Sequence, residues 1–343
     1  MSKRNDNKAD TVPPHAQLIE MARTLKAHIV YTAAKLDLAD HLAQGPKSAD
    51  ELAGPTGTHA PSLYRFMRAL ATLGILTESD TRRFALTSLG EALKTGAPGS
   101  ARATVLTLES DWWMNGQRGL LYALRTGKCG FEKSLGMPVF DWLAEHPEDA
   151  SLFSQTMIGL HEGQPEAVAA SYDFSAFQTI VDVGGASGQL LTTILGSCRG
   201  PRGILFDLAP VVRDAPTLIR ARGLMDRVTI QAGSFFEGVP NGADAYLLSH
   251  IIHDWSEKQC LTILAQCRRA MHPTSCLLLI EIVLPPAGTP HQGSLLDVGM
   301  LLYTGGQERT EEEYAALLGK ADLRLTRIVP TSSPVSIIEA TIK

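Results

Sequence analysis

The chain reads as an α/β protein whose C-terminal half is a parallel sheet with covered faces, preceded by a helical N-terminal half. Three observations predict this. From Phe174 onward, short apolar strands alternate with helical segments, the pattern that buries a parallel sheet between helices. Within it, Ile180-Val181-Asp182-Val183-Gly184-Gly185-Ala186-Ser187-Gly188-Gln189-Leu190-Leu191 is an apolar strand running into a glycine turn and then a helix. Before it, residues 48–87 carry the outline of a winged helix.

Taken in order, Met1 to Pro14 is polar and without apolar period, and reads as a loose tail. Gln17 to Leu38 spaces Leu18, Met21, Leu25, Ile29 and Ala33 as one helix would. Ser48 starts a second helix, and Pro61 opens a third with Leu63, Phe66, Met67, Leu70 and Leu73 on one face. Gly74–Glu78 and Arg83–Thr87 form two short strands around Ser79–Arg82. Ser100 to Ser171 reads as a helical connector in which Trp112, Trp113, Phe131, Phe140, Trp142, Phe153 and Met157 serve mostly as core. Strands are expected at Thr179–Val183, Gly203–Phe206, Val228–Ala232, Ala243–Leu248 and Cys276–Ile282, with a closing pair between Leu323 and Ile342. The domain division is therefore a tail (1–14), a winged-helix domain (15–97), a connector (98–171) and a sheet domain (172–343).

Composition narrows the function classes. The 343 residues are 44% apolar and 20% charged, with a net charge of -5 and no dense basic block, so nothing marks a nucleic-acid footprint. The winged-helix outline nevertheless leaves a DNA-binding regulator as one alternative, with Arg65 and Arg68 as its few exposed polar candidates. No apolar run approaches the ~18 residues of a membrane span, and no apolar leader is present. The five cysteines form no Cys-x-x-Cys pair, as expected of reduced thiols, and no metal-ligand spacing is visible. A soluble, cytoplasmic protein without metal is expected.

The glycine turn suggests the ligand. A dinucleotide fingerprint spells Gly-x-Gly-x-x-Gly, whereas here Asp182-x-Gly184-Gly185-x-x-Gly188 puts an acid before the glycines on the same strand. With Asp207 ending the next strand, this suits a cofactor with an amino acid group and a ribose but no phosphates, namely S-adenosylmethionine. A turn chosen only for helix–sheet packing is the competing explanation. Gly233-Ser234-Phe235-Phe236 offers a stacking place for an adenine, or a plain turn cap with core aromatics.

Candidate chemistry sits in Ser249-His250-Ile251-Ile252-His253-Asp254-Trp255, at the C-terminal end of a sheet strand where open α/β folds bind ligands. A histidine there is a proton acceptor near neutral pH, or a hydrogen-bonded structural residue. Glu281 interrupts an apolar strand and needs a partner if buried. Glu308 precedes a helix with a Thr310/Glu313 capping-box spacing, and a salt bridge to Arg309 is its structural alternative.

In combination these motifs resemble the plant-type, caffeic acid O-methyltransferase-like family, in its bacterial hydroxyneurosporene and anthracycline methyltransferase branch, over nearly the whole chain. The resemblance implies a class I methyltransferase sheet, a winged-helix dimerisation domain, a homodimer, and S-adenosylmethionine as cofactor. It makes His253 the general base, positioned by Glu281 and Glu308, with Asp254 beside it. Asp182, Gly184, Gly185, Gly188, Asp207, Leu208, Ser234, Phe235 and Ser249 fall on cofactor positions, and Met157, His250, Met300 and Tyr303 on substrate positions. The acceptor is then a hydroxylated aromatic or polyketide-like small molecule. Four residues depart from the pattern: Ala186 for a frequent glycine, Ser234 for an aspartate, Ser249 for a lysine and Tyr303 near an asparagine. A cofactor-binding enzyme of the same scaffold without methyl transfer (a decarboxylase, hydroxylase or pericyclase) is the second class.

Overall fold

The computed structural model describes residues 12–343, so most of the expected N-terminal tail lies outside the described residues. The chain forms two compact units, one of residues 12–113 with Glu148–Leu160, the other of Met114–Pro147 with His161–Lys343. The helices of 98–171 are thus shared between the two. Among the described residues no helix is long and apolar enough to cross a membrane.

In the first unit the expected single helix over 17–38 is two, Pro14–Ala22 and Leu25–Lys35, because Arg23 takes an extended ψ of 115°. Pro14 occupies the first helical turn, where its missing N–H costs nothing. Leu18, Met21 and Leu25 are 68, 80 and 67% exposed, so no other described residue covers this apolar face. The winged helix is present and gains a strand the sequence did not announce: Lys47–Ser48 joins Leu76–Glu78 and Arg83–Leu86 in a three-stranded sheet. Ser48 caps the next helix through a capping box with Glu51. Leu63, Met67 and Leu70 of Ala60–Thr72 are buried, as their spacing predicts. Arg68, a candidate for reading DNA, lies 3.6 Å from Glu78 instead.

The second unit holds a seven-stranded sheet. Its order is Leu323–Pro330, Ser336–Ile342, Cys276–Glu281, Ala245–Ser249, Thr179–Val183, Arg202–Asp207 and Val228–Ala232. The last five in this list run parallel to one another, and Ser336–Ile342 is antiparallel to both its neighbours. Apolar clusters cover both faces, one around Val183, Tyr246, Leu248 and Leu277, the other around Ile180, Leu191, Leu205 and Leu247. That two-sided burial explains why the strands read as continuous apolar runs. Successive strands run outward from Thr179–Val183 in one direction and then, from Ala245, in the other. The crevice at this switch lies beyond Val183 and Ser249, where the glycine turn and the His253 segment begin.

A second ladder matters more for function than its size suggests. Val283–Leu284 pairs in parallel with Arg309–Thr310, Val283 facing Arg309. It anchors the chain just after Glu281 to the chain just after Glu308. Tyr246 secures the strand that leads to the histidines: its hydroxyl accepts from the Ala243 N–H at 3.2 Å and lies 2.9 Å from both the Pro240 and Ala270 carbonyls. Tyr246→Phe leaves these buried groups short of a partner and is expected to cost about 1–3 kcal/mol, read as an earlier urea midpoint with unchanged secondary structure.

Candidate active site

The glycine turn folds tightly around its acid. Gly184 and Gly188 have φ of +73° and +82°, a region open to glycine. A Cβ on Gly185 would stand 2.5 Å from the Asp182 carboxylate, and one on Gly184 would stand 2.5 Å from Ile251 and 3.5 Å from the Phe235 ring. The turn, Phe235 and the segment before His253 therefore meet at one place. Ala186 adopts φ +48°, a left-handed conformation that costs a residue with a Cβ roughly 1–2 kcal/mol. The frequent glycine is what this backbone asks for. Its N–H donates to Asp207 Oδ2 at 2.9 Å, and the Leu208 N–H to Asp207 Oδ1 at 2.7 Å.

Asp182 is fully buried and neither of its oxygens makes a well-formed hydrogen bond, the Leu191 N–H being its weak neighbour. Burial, then the charge of Asp207, pushes its carboxyl up to about 7. Burial also raises Asp207, against the pull of the Leu208 and Ala186 N–H groups. An unsatisfied acid beneath a side-chain-free cradle, with a second acid one strand away, fits a cofactor carrying an amino group and a ribose. Leu208 is 52% exposed at the rim. Ser234 accepts from the Phe236 N–H at 3.3 Å, the local turn that its type allows, so its hydroxyl is partly committed. Phe235 and Phe236 pack on Trp255 with ring centroids 5.9 and 4.9 Å away.

Across the switch point the acids converge on His253. Glu281 Oε1 accepts from the N–H groups of Ile251 and Ile252 at 3.1 and 2.8 Å, so it holds the start of the short 3-10 turn Ile252–Asp254. Its Oε2 lies 3.5 Å from His253 Nδ1. Glu308 Oε1 receives the His253 Nδ1–H at 2.7 Å. The loop carrying Glu308 lies directly on the His253 backbone: Gln307 N–H donates to the His253 carbonyl at 2.9 Å, and a Cβ on Gly306 would collide with that carbonyl. Asp297, on helix Gly293–Tyr303, accepts the Glu308 N–H at 2.9 Å. Arg309 turns away to the Ile252 and Gln307 carbonyls, so the sequence alternative of a Glu308–Arg309 bridge gives way to Glu308–His253.

With Nδ1 committed to Glu308, the other ring nitrogen is the one left to exchange a proton; Nε2 has Asp254 Oδ1 at 3.9 Å. Burial opposes charge on the ring, but Glu281, Asp254 and Glu308 outweigh it and hold His253 up at about 10. Burial raises Glu281 to about 7 against the pull of His253, and Asp254 to about 6 in the same way. The resting cluster therefore keeps its imidazole charged.

Two histidines stay neutral beside it. His161 stacks on His250 with centroids 4.0 Å apart and planes 4° apart, and His250 lies 5.2 Å from His253. Burial, then the charge of His253, lowers His161 to about 4; burial, then its histidine neighbours, takes His250 well below its ordinary value. Gln164 Oε1 accepts from His250 Nε2 at 2.9 Å. His250 also has φ +53°, the kind of backbone strain that gathers at functional sites. Sequence reasoning missed His161 and Gln164, since no spacing relates them to His250.

The remaining residues expected at the cofactor or the substrate lie on separate elements. Met300 is buried and Tyr303 half-buried on Gly293–Tyr303, where Tyr303 meets Phe131 edge to face at 5.1 Å. Ser249 ends its strand half-buried, paired in register with Ile280. Met157 belongs to the first unit, on helix Pro147–Leu160.

Comparison with known proteins accords with this geometry. A family model for the O-methyltransferase domain matches residues 118–324, and one for the O-methyltransferase dimerisation domain matches 19–96. A phenazine O-methyltransferase of Lysobacter antibioticus is 38% identical over 98% of both chains. A mitomycin biosynthesis 6-O-methyltransferase of Streptomyces lavendulae is 36% identical, covering 92% of this chain and 90% of its own. Among solved structures, an O-methyltransferase from neocarzinostatin biosynthesis, in complex with S-adenosylmethionine and 2-hydroxy-5-methyl naphthoic acid, superposes with a TM-score of 0.83. It is 32% identical, over 98% of this chain and 100% of its own. The chain belongs to the S-adenosylmethionine-dependent O-methyltransferase family, with that family's N-terminal dimerisation domain.

Proposed function

We propose that the enzyme methylates a hydroxyl of a small aromatic or polyketide-like metabolite, with His253 as general base. The observation that carries this reading is the 2.7 Å bond from His253 Nδ1 to Glu308, which fixes the ring and reserves Nε2 for the acceptor's proton. Bound S-adenosylmethionine supplies an electrophilic methyl group. Asp182, Gly184, Gly185, Gly188, Asp207, Leu208, Ser234, Phe235 and Ser249 would hold it; His250, Met300 and Tyr303 would line the acceptor. A positive charge seated by the glycine turn repels the His253 imidazolium and pushes it toward the neutral, proton-accepting form. Glu281 and Glu308 act through His253, keeping the ring and its backbone in place, while Asp254 stands beside Nε2. The retained base and its acids favour methyl transfer over other chemistry on this scaffold. The exposed apolar face of Leu18, Met21 and Leu25 supports a homodimer, and the free cysteines support a cytoplasmic location.

Methyl-labelled cofactor and a panel of hydroxylated aromatics test the reaction; label that never reaches an acceptor contradicts it. His253→Ala is expected to keep S-adenosylhomocysteine binding by calorimetry while kcat falls about 10²- to 10⁴-fold, and unchanged turnover removes the base assignment. Asp182 yields a second expectation. It is largely neutral below its value of about 7, so affinity for the cofactor's ammonium group should rise roughly 5- to 10-fold between pH 6 and 7.5, with Asp182→Asn flattening the profile. Equal pH dependence in both proteins would show that Asp182 does not face that group.

A further inference from the structure

Two buried atoms at the edge of the catalytic cluster lack a hydrogen-bond partner: Glu281 Oε2 and His250 Nδ1. Glu281 is wholly buried, so nothing from solvent relieves its oxygen. Around them, one ring nitrogen of His250, one of His253 and one carboxylate oxygen of Glu281 all lie within 4.8 Å of one another. The His253 Nδ1 to Glu281 Oε2 separation is 3.5 Å. Bonds of about 2.0–2.2 Å to a tetrahedral zinc ion place neighbouring ligand atoms roughly 3.3–3.5 Å apart, so these two atoms stand at ligand spacing, and an ion takes Nδ1 by displacing its proton and its bond to Glu308.

The donor set names the class of ion. Two imidazoles and one carboxylate with an open fourth position are the ligands of an accessible zinc site, whereas Mg²⁺ and Ca²⁺ require mostly oxygens. The outer partners are in place as well. Gln164 takes the Nε2–H of His250 and leaves Nδ1 as its lone-pair atom, while His161 covers the ring face.

We propose that His250, His253 and Glu281 bind a divalent cation of the zinc class, and that this ion inhibits the enzyme rather than serving it. A metal ion on His253 draws the ring away from its bond to Glu308 and spends the imidazole that the reaction needs as a base. Metal binding stands without the methyl-transfer reading; the loss of activity rests on it.

Equilibrium dialysis of the full chain with Zn²⁺, and titration with Co²⁺ as a spectroscopic probe, test the site. The expected result is one ion per chain, with a visible Co²⁺ d–d spectrum and no thiolate charge-transfer band. The latter would mark the half-buried Cys129 or Cys198 instead. Losing an outer partner of a metal ligand already weakens binding about 10- to 100-fold, so His250→Asn and Glu281→Gln should each weaken it more than about 100-fold. Asparagine tolerates the left-handed backbone at His250, and S-adenosylhomocysteine affinity serves as the fold control. The wild-type Co²⁺ spectrum decides the ligand type even if a variant fails to fold. No stoichiometric uptake, a thiolate band, or equal uptake in both variants overturns the site. Methyl transfer should fall as the ion binds and return with chelator; full activity at saturation overturns the inhibitory role. Absence of methyl transfer from the metal-free enzyme with every acceptor sinks the functional reading alone and leaves the binding result intact.

Discussion

The bond from His253 Nδ1 to Glu308 is the constraint around which the catalytic half is arranged. A lone imidazole on a 3-10 turn has freedom in both position and tautomer. Here the carboxylate takes one nitrogen, a glycine pair lets the 305–308 loop lie flat on the histidine backbone, and Glu281 pins the two preceding N–H groups. A two-residue parallel ladder brings both acids to the same ring. Positioning of this kind is what an in-line methyl transfer needs most, because charge is neutralised as the bond forms and no oxyanion has to be stabilised.

Holding Glu281, Glu308, Asp254 and one imidazole out of water is costly, and such a cluster is weak grounds for stability. Its value lies in charge control. The surplus of acid keeps His253 protonated at rest, and burial, aided by the charge of that imidazolium, keeps His161 and His250 neutral. The site is thus poised to give up a proton only when positive charge arrives beside it. On the proposed reading the glycine turn would bring such a ligand within reach, since Gly184 packs on Ile251, two residues before His253.

Much of this was legible in the residues. Continuous apolar strands, the acid–glycine order at Asp182 and the breaks at Glu281 and His253 all follow from burial and backbone sterics, which leave local marks. From its own surroundings Glu308 was only an acid before a capping box, with Arg309 as a partner on paper, and it was the family resemblance that paired it with His253. Its true partner depends on a ladder too short to have a period. His161 and Gln164 were silent because stacking and tautomer control across 86 residues of chain carry no local pattern. The break at Arg23 was hidden because apolar spacing continues across it while the helix does not. At Ala186 the family pattern pointed to a glycine, and the left-handed backbone there gives the reason.

The most direct measurement is NMR of histidine ¹⁵N-labelled enzyme, with the His253 signals assigned by their loss in His253→Gln. The account predicts an Nδ1–H that is slow to exchange and shifted downfield by a charge-assisted bond, and that disappears in Glu308→Leu while the rest of the spectrum stays folded. A His253 ring whose Nδ1 carries no protected proton, or whose signal is unchanged in Glu308→Leu, would contradict it.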